Sequence, residues 1–255
     1  MSCIYLSPHF DDAVYSCGGL IWEQARAGEV VEIWTICAGE PPPGPLPPFA
    51  AELHERWGSP QAVSVRRQED QDACQIVGAR QRLFAIPDCI YRTLPDGEPV
   101  VHIDEDLFTV PLEREMDLVR SLAAQLRSGL PARARVVVPL ALGGHVDHRL
   151  VRAAAEMLGL PLPYYAVFPY VAREQPDIPS QLPPGVDLRL YPVSEQGLAA
   201  WQRAVAAHRS QISTFWASEA DLYADMEAYW RSIDGNARLW EPYRKEKKVH
   251  HEFHE

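Results

Sequence analysis

The run Val136-Val137-Val138-Pro139-Leu140 constrains the fold of this chain more than any other segment. It is apolar at every position rather than at every second one. A strand formed there is buried on both faces, the mark of a parallel sheet covered by helices on each side. The run breaks off into Gly143-Gly144-His145-Val146-Asp147-His148, and a helical pattern follows over 149–158. The N-terminus repeats this plan. Residues 3–7 are a short, mostly apolar run that leads into Pro8-His9-Phe10-Asp11-Asp12 and Gly18-Gly19. Residues 20–26 then read as helix and 29–37 as an apolar, β-rich strand, which together open a βαβ unit.

The rest of the chain extends the pattern. Residues 66–78 form an amphipathic helix with Gly78 as its natural stop. A strand is expected over 83–86, ending at Pro87-Asp88, then a helix over 112–130 and a strand over 164–171. A strand over 188–193 and helical patterns over 195–213 and 218–233 complete it. Close packing against the sheet accounts for Gly18-Gly19. No repeat or interdomain linker intervenes, so the expectation is one α/β, Rossmann-like domain over 1–244. Its mostly parallel, twisted sheet is flanked by helices on both faces. The charged, His-rich stretch 245–255 reads as a flexible tail. Six prolines within 41–48 rule out helix and central strand there. That segment is a stiff surface loop or a wall beside a site.

Net charge narrows the partners. With 24 Lys and Arg against 35 Asp and Glu, the chain carries −11, which argues against nucleic acid. No apolar run reaches the roughly 18 residues that a transmembrane helix needs, and the N-terminus lacks a signal-peptide pattern. Cys3, Cys17, Cys37, Cys74 and Cys89 are odd in number and form no CxxC. They read as buried free thiols of a cytoplasmic protein. Trp216, Tyr223, Tyr229 and Trp230 suit either packing on their own domain or contact with a partner in a homo-oligomer.

The chemistry sits at two strand ends. His9, Asp11 and Asp12 follow the first strand, and His145, Asp147 and His148 follow the central one. Ligands bind at that edge of an open α/β sheet. Three imidazoles and three carboxylates are the donor types of a zinc-like centre, and both histidine clusters use a three-residue spacing that lets side chains share one face. Three of the six residues suffice for the metal, leaving the others to handle protons.

These motifs, Ser7-Pro8-His9-Phe10-Asp11-Asp12 with Cys17-Gly18-Gly19 and Gly144-His145-Val146-Asp147-His148, resemble those of the LmbE/PIG-L family of zinc-dependent de-N-acetylases. Arg67-Gln68-Glu69-Asp70, Asp88 and Ala207-His208-Arg209-Ser210-Gln211 are weaker matches. Phe10 and Ala13 depart from the usual first motif, as does Gly143 from the Tyr that some members place before the second.

The resemblance implies His9, Asp12 and His148 as metal ligands and Asp11 as general base. It implies that His145, most useful if protonated and oriented by Asp147, stabilises the oxyanion. Arg67 and Asp88 become candidate contacts for a small amino-sugar substrate. Zinc is the implied metal, and iron(II) suits the same two imidazoles and one carboxylate. The implied reaction is removal of an N-acetyl group from a GlcNAc-containing molecule. The alternatives are an amidase for another N-acyl substrate, such as an antibiotic or thiol precursor, and a non-catalytic sugar- or nucleotide-binding module.

Overall fold

The computed structural model describes residues 2–57, 61–173 and 177–243; the 245–255 stretch lies outside them. One seven-stranded sheet runs through the molecule in the order β3-β2-β1-β4-β5-β7-β6. Its strands are β1 (Ser2–Ser7), β2 (Val30–Thr35), β3 (Arg80–Leu83), β4 (Arg135–Pro139), β5 (Tyr164–Tyr165), β6 (Val186–Pro192) and β7 (Asn236–Pro242). The first five are parallel; β7 runs antiparallel between β5 and β6.

The helices are α1 (Asp12–Arg26), α2 (Pro48–Arg56), α3 (Ala62–Val77), α4 (Asp106–Thr109), α5 (Met116–Gly129) and α6 (Val146–Glu156), followed by α7 (Tyr170–Arg173), α8 (Ile178–Gln181), α9 (Glu195–Ala206), α10 (Arg209–Phe215) and α11 (Glu219–Ser232). Gly78 caps α3 in the left-handed conformation, as its position at the end of the apolar pattern requires. β1 and β4 lie side by side, and chain order reverses between them. Side chains leaving their C-terminal ends therefore converge on one crevice. The core is built on Ile4, Tyr5 and Leu6 of β1, Ile33 and Trp34 of β2 and Val136 to Val138 of β4. The single α/β domain expected from the sequence is what is found.

Several local expectations shift. The β3 strand ends at Leu83 instead of beginning there. It lies at the sheet margin, where Arg80, Gln81 and Arg82 are tolerated, and a polar edge strand carries no apolar signal. The 164–171 strand contracts to Tyr164–Tyr165 because Pro169 cannot donate to a ladder and the chain turns into α7. The 195–213 helix breaks before Arg209, with His208 as the N-cap of α10.

α1 begins at Asp12, eight residues before the expected start. Its Gly18-Gly19 pair fits against α9 and Val193 just ahead of it rather than against the sheet. A Cβ on Gly18 would stand 2.5 Å from Trp201, and one on Gly19 would stand 2.7 Å from Val193. The 41–46 residues form a surface loop, and Pro47 and Pro48 start α2.

Trp216 and Tyr229 both pack on Phe168 inside the domain, and Trp230 donates to the Val193 carbonyl. All five cysteines are free and buried. Among the described residues no helix is long and apolar enough to cross a membrane.

Candidate active site

Two tight turns build the site. After β1, the Ser7 hydroxyl donates to the His9 carbonyl at 2.6 Å and accepts the Ala13 amide at 3.0 Å, which clamps the turn that starts α1. Asp12 accepts the His9 amide at 2.8 Å. After β4, Ala141, Gly143 and Gly144 all adopt positive φ, and Ala141 does so at a Cβ penalty. This winding brings His145 to the N-cap of α6 and His148 onto its first turn.

The three imidazole rings then gather, with centroids 5.0 to 5.3 Å apart. One donor atom from each of His9, Asp12 and His148 lies within 4.8 Å of the other two. Asp12 Oδ2 is 3.2 Å from His9 Nδ1 and 3.3 Å from His148 Nε2. Burial lowers the basicity of His9, but Asp88, Asp12 and Asp147 outweigh it and hold the ring well above the ordinary imidazole value. Burial raises the Asp12 carboxyl, yet His148 and His9 draw it well below the usual range.

A buried pocket that collects this much negative charge around two imidazoles suits a divalent cation, and the two-histidine, one-carboxylate set fits zinc or iron(II). His9, His145 and Asp147 form a second close group, as do Asp88, Cys89 and Asp147. In both, the Asp147 carboxylate already has partners for its two oxygens.

That engagement departs from the sequence expectation. Asp147 does not reach His145 with its carboxylate. Oδ2 receives His9 Nε2 and the Cys89 amide, both at 3.0 Å, and Oδ1 pairs with Arg92 Nη2 at 2.7 Å. Arg92 in turn grips Glu115 through two bonds of 2.7 and 2.8 Å. A buried chain Glu115–Arg92–Asp147–His9 therefore holds the first-motif histidine. Despite burial, Arg92 and His9 keep the Asp147 carboxyl well below its ordinary value.

Only the Asp147 amide meets His145, donating to Nδ1 at 3.2 Å. Accepting there leaves Nε2 to carry the ring proton. Burial and the neighbouring His9 and His148 depress the His145 pKa well below normal, which favours the neutral imidazole.

Asp11 and Asp88 line the same cavity, whose volume is about 790 Å³. Arg67 does not line it; its guanidinium bonds the Ala38 carbonyl at 3.2 Å and Glu40 at 2.7 Å. The neighbouring Arg66 is the one that faces the site. It is buried, stands 3.5 Å from Asp11 Oδ1 and lies over the rings of Phe10 and Trp57. Consecutive arginines on α3 point about 100° apart, and single-residue spacing could not choose between them.

Of the accessory matches, Glu69, His208 and Ser210 serve packing, while Asp88 and Gln211 line the cavity. Glu69 accepts both the amide and the hydroxyl of Ser210, tying α3 to α10. His208 is fully buried against Tyr15, and burial lowers its pKa to about 4. The Pro-rich 41–48 segment is not a wall of the cavity, but α2, which it leads into, supplies Leu53 and Arg56, with Trp57 just beyond. Leu107 and Phe108 of α4 face the same space. These apolar residues carried no sequence signal beyond ordinary core-like pattern.

Comparison with known proteins agrees with this geometry. The PIG-L family, GlcNAc-PI de-N-acetylase, matches residues 4–158. The 2'-N-acetylparomamine deacetylase of Niallia circulans is 33% identical over 184 residues, 66% of each chain. The protein of that name from Streptomyces fradiae is 28% identical over 159 residues, 59% of this chain and 50% of its own length. The chain thus spans about two thirds of one curated relative and half of the other. The zinc-inhibited form of teicoplanin deacetylase Orf2 superposes with a TM-score of 0.84 at 27% identity, covering 97% of this chain and all of that one. The family match over residues 4–158 includes both turns.

Proposed function

This chain belongs to the PIG-L family, and on that premise we propose that it is a metal-dependent deacetylase of an N-acetylated amino sugar. The observation that supports the reading best is the convergence of His9, Asp12 and His148 beside Asp11 and His145 at the strand switch point. His9, Asp12 and His148 hold a divalent ion, zinc or iron(II). When bound, that ion supplies Lewis-acid polarisation of the acetamide carbonyl and acidifies water toward neutral pH.

The chain's own groups do the rest. Asp11 takes the proton of the attacking water, and Arg66 steadies its carboxylate. Neutral His145 donates Nε2–H to the carbonyl oxygen as negative charge develops there. The Asp147 amide fixes which nitrogen carries that proton. Asp11 then passes its proton to the departing amine, so water and amide become acetic acid and amine, which leave as acetate and ammonium. Arg66 and Asp88 face the sugar hydroxyls, the part that the resemblance had given to Arg67 and Asp88.

The cavity lies toward the upper end of the range for small-molecule sites, about 300–1,000 Å³. Leu53, Trp57, Leu107 and Phe108 give it an apolar side. An amino sugar carried on a larger scaffold suits it better than a free monosaccharide.

Amine release from N-acetylparomamine, N-acetylglucosaminyl glycopeptides and simple N-acetylglucosaminides tests the reading. Release that a chelator abolishes and added zinc or iron(II) restores is expected. Release unaffected by chelation, or none from any acetamide sugar with metal bound, overturns it.

A further inference from the structure

The far margin of the sheet presents a surface that the active site does not use. β6 is the last strand, and Asp187 to Leu190 are all exposed on both faces. Leu188 is 48% exposed and Leu190 is 53% exposed. The Gly185 carbonyl accepts from Tyr243 and the Val193 amide donates to Gly235, both toward β7. By the alternation of an antiparallel ladder, odd positions of β6 face β7 and the even ones, Val186, Leu188 and Leu190, turn their main-chain groups outward. Natural edge strands are usually guarded by charges or proline. Here Pro192 closes one end, but the charges between are Asp187 and Arg189, opposite in sign and two residues apart on one face. Among the described residues neither has an ion-pair partner, and Asp187 stands across from Glu241 of β7, a like charge.

We propose that β6 is a homodimer interface, in which a second copy of this chain adds its own β6 antiparallel about a two-fold axis centred on Leu188. In that register Leu188 faces the partner's Leu188 and Val186 faces the partner's Leu190. Even positions meet even positions, so each pair exchanges both outward hydrogen bonds. On the opposite face Asp187 meets the partner's Arg189, twice by symmetry. Shifting the two-fold to residue 187 or 189 keeps the hydrogen bonding but stacks Asp on Asp or Arg on Arg. Main-chain pairing supplies the contact and the charge pairs choose its register.

Sedimentation velocity and light scattering on the full chain test this. The wild type is expected to associate to dimer with rising concentration. Asp187→Arg alone and Arg189→Asp alone each turn both cross-pairs into repulsions, lowering association roughly tenfold or more. A mixture of those two variants restores both pairs and should re-form a dimer as a heterodimer; the double variant D187R/R189D should dimerise by itself. Far-UV circular dichroism confirms folding of each variant. A wild type that stays monomeric into the millimolar range overturns the proposal. So does a dimer indifferent to either single exchange, or a mixture that fails to reassociate.

Discussion

The two margins of interest in this sheet spend charge in opposite ways. At the β1–β4 switch point, Asp11, Asp12, Asp147, Arg66, Arg92 and Glu115 are all buried. At the β6 edge, Asp187 and Arg189 stand in water. Burying an ion is costly unless it is paired and hydrogen-bonded, whereas an exposed one costs almost nothing. The first region is therefore an interlocked array in which each group depends on its neighbours. The second is a set of independent groups, free to vary until a partner covers them. Substitutions should separate the regions by size of effect.

The largest effect is expected at Asp11. Asp11→Asn removes the group that takes the water proton while leaving His9, Asp12 and His148 intact. Turnover should fall by about 10²–10⁴ with metal content unchanged. Metal analysis beside kcat checks this, and full activity in the variant would end the assignment of Asp11.

Next comes the ion chain beneath the site. Arg92→Met leaves Asp147 and Glu115 buried without their cation, and breaking a buried pair from one side costs about 3–5 kcal/mol. Urea denaturation reads it. A loss no greater than that of a surface arginine would erase the contrast between the two regions.

Asp70 sharpens the comparison through pH. It is fully buried on α3, accepts from Thr35 and Gln81, and burial raises its carboxyl to about 7. An acid whose folded pKa exceeds its unfolded value near 4 binds its proton more tightly when folded. Its contribution to stability is greatest below pH 4 and declines as pH rises through about 7. The three-unit span corresponds to roughly 4 kcal/mol at most. Asp70→Asn should flatten that decline. Stability of wild type and variant measured from pH 4 to 8 should diverge in the variant's favour as pH rises, and parallel curves would refute it.

The smallest effect belongs to the β6 edge. Leu190→Ser, on a side chain 53% exposed, should change monomer stability by no more than about 0.5 kcal/mol. Thermal denaturation of dilute protein is the measurement. A large loss would mean that the β6 edge is already part of the core.

How much of this was legible in the sequence follows the same division. β1 and β4 announced themselves because strands buried on both faces must be apolar throughout, and the six His and Asp residues stood out because each cluster ends such a run. β7 escaped notice. Its sequence, Asn-Ala-Arg-Leu-Trp-Glu-Pro, is a half-exposed strand in which Arg238 and Glu241 interrupt the pattern, and both find partners in the fold: Arg238 with the Tyr229 hydroxyl, Glu241 with Arg135 and Tyr191. β3 was displaced for a similar reason.

By itself, then, the sequence determined the parallel α/β core, the edge of the sheet where chemistry occurs and the residues that meet there. All three are written in local runs and spacings of a few residues. The tertiary structure alone decided that Asp147 serves His9, 138 residues away, rather than its neighbour His145. It also decided that Arg66 and not Arg67 faces Asp11, and that α2 and α4 wall the cavity. Those choices depend on which distant groups are brought into contact and how far water is excluded between them, quantities that no local pattern encodes.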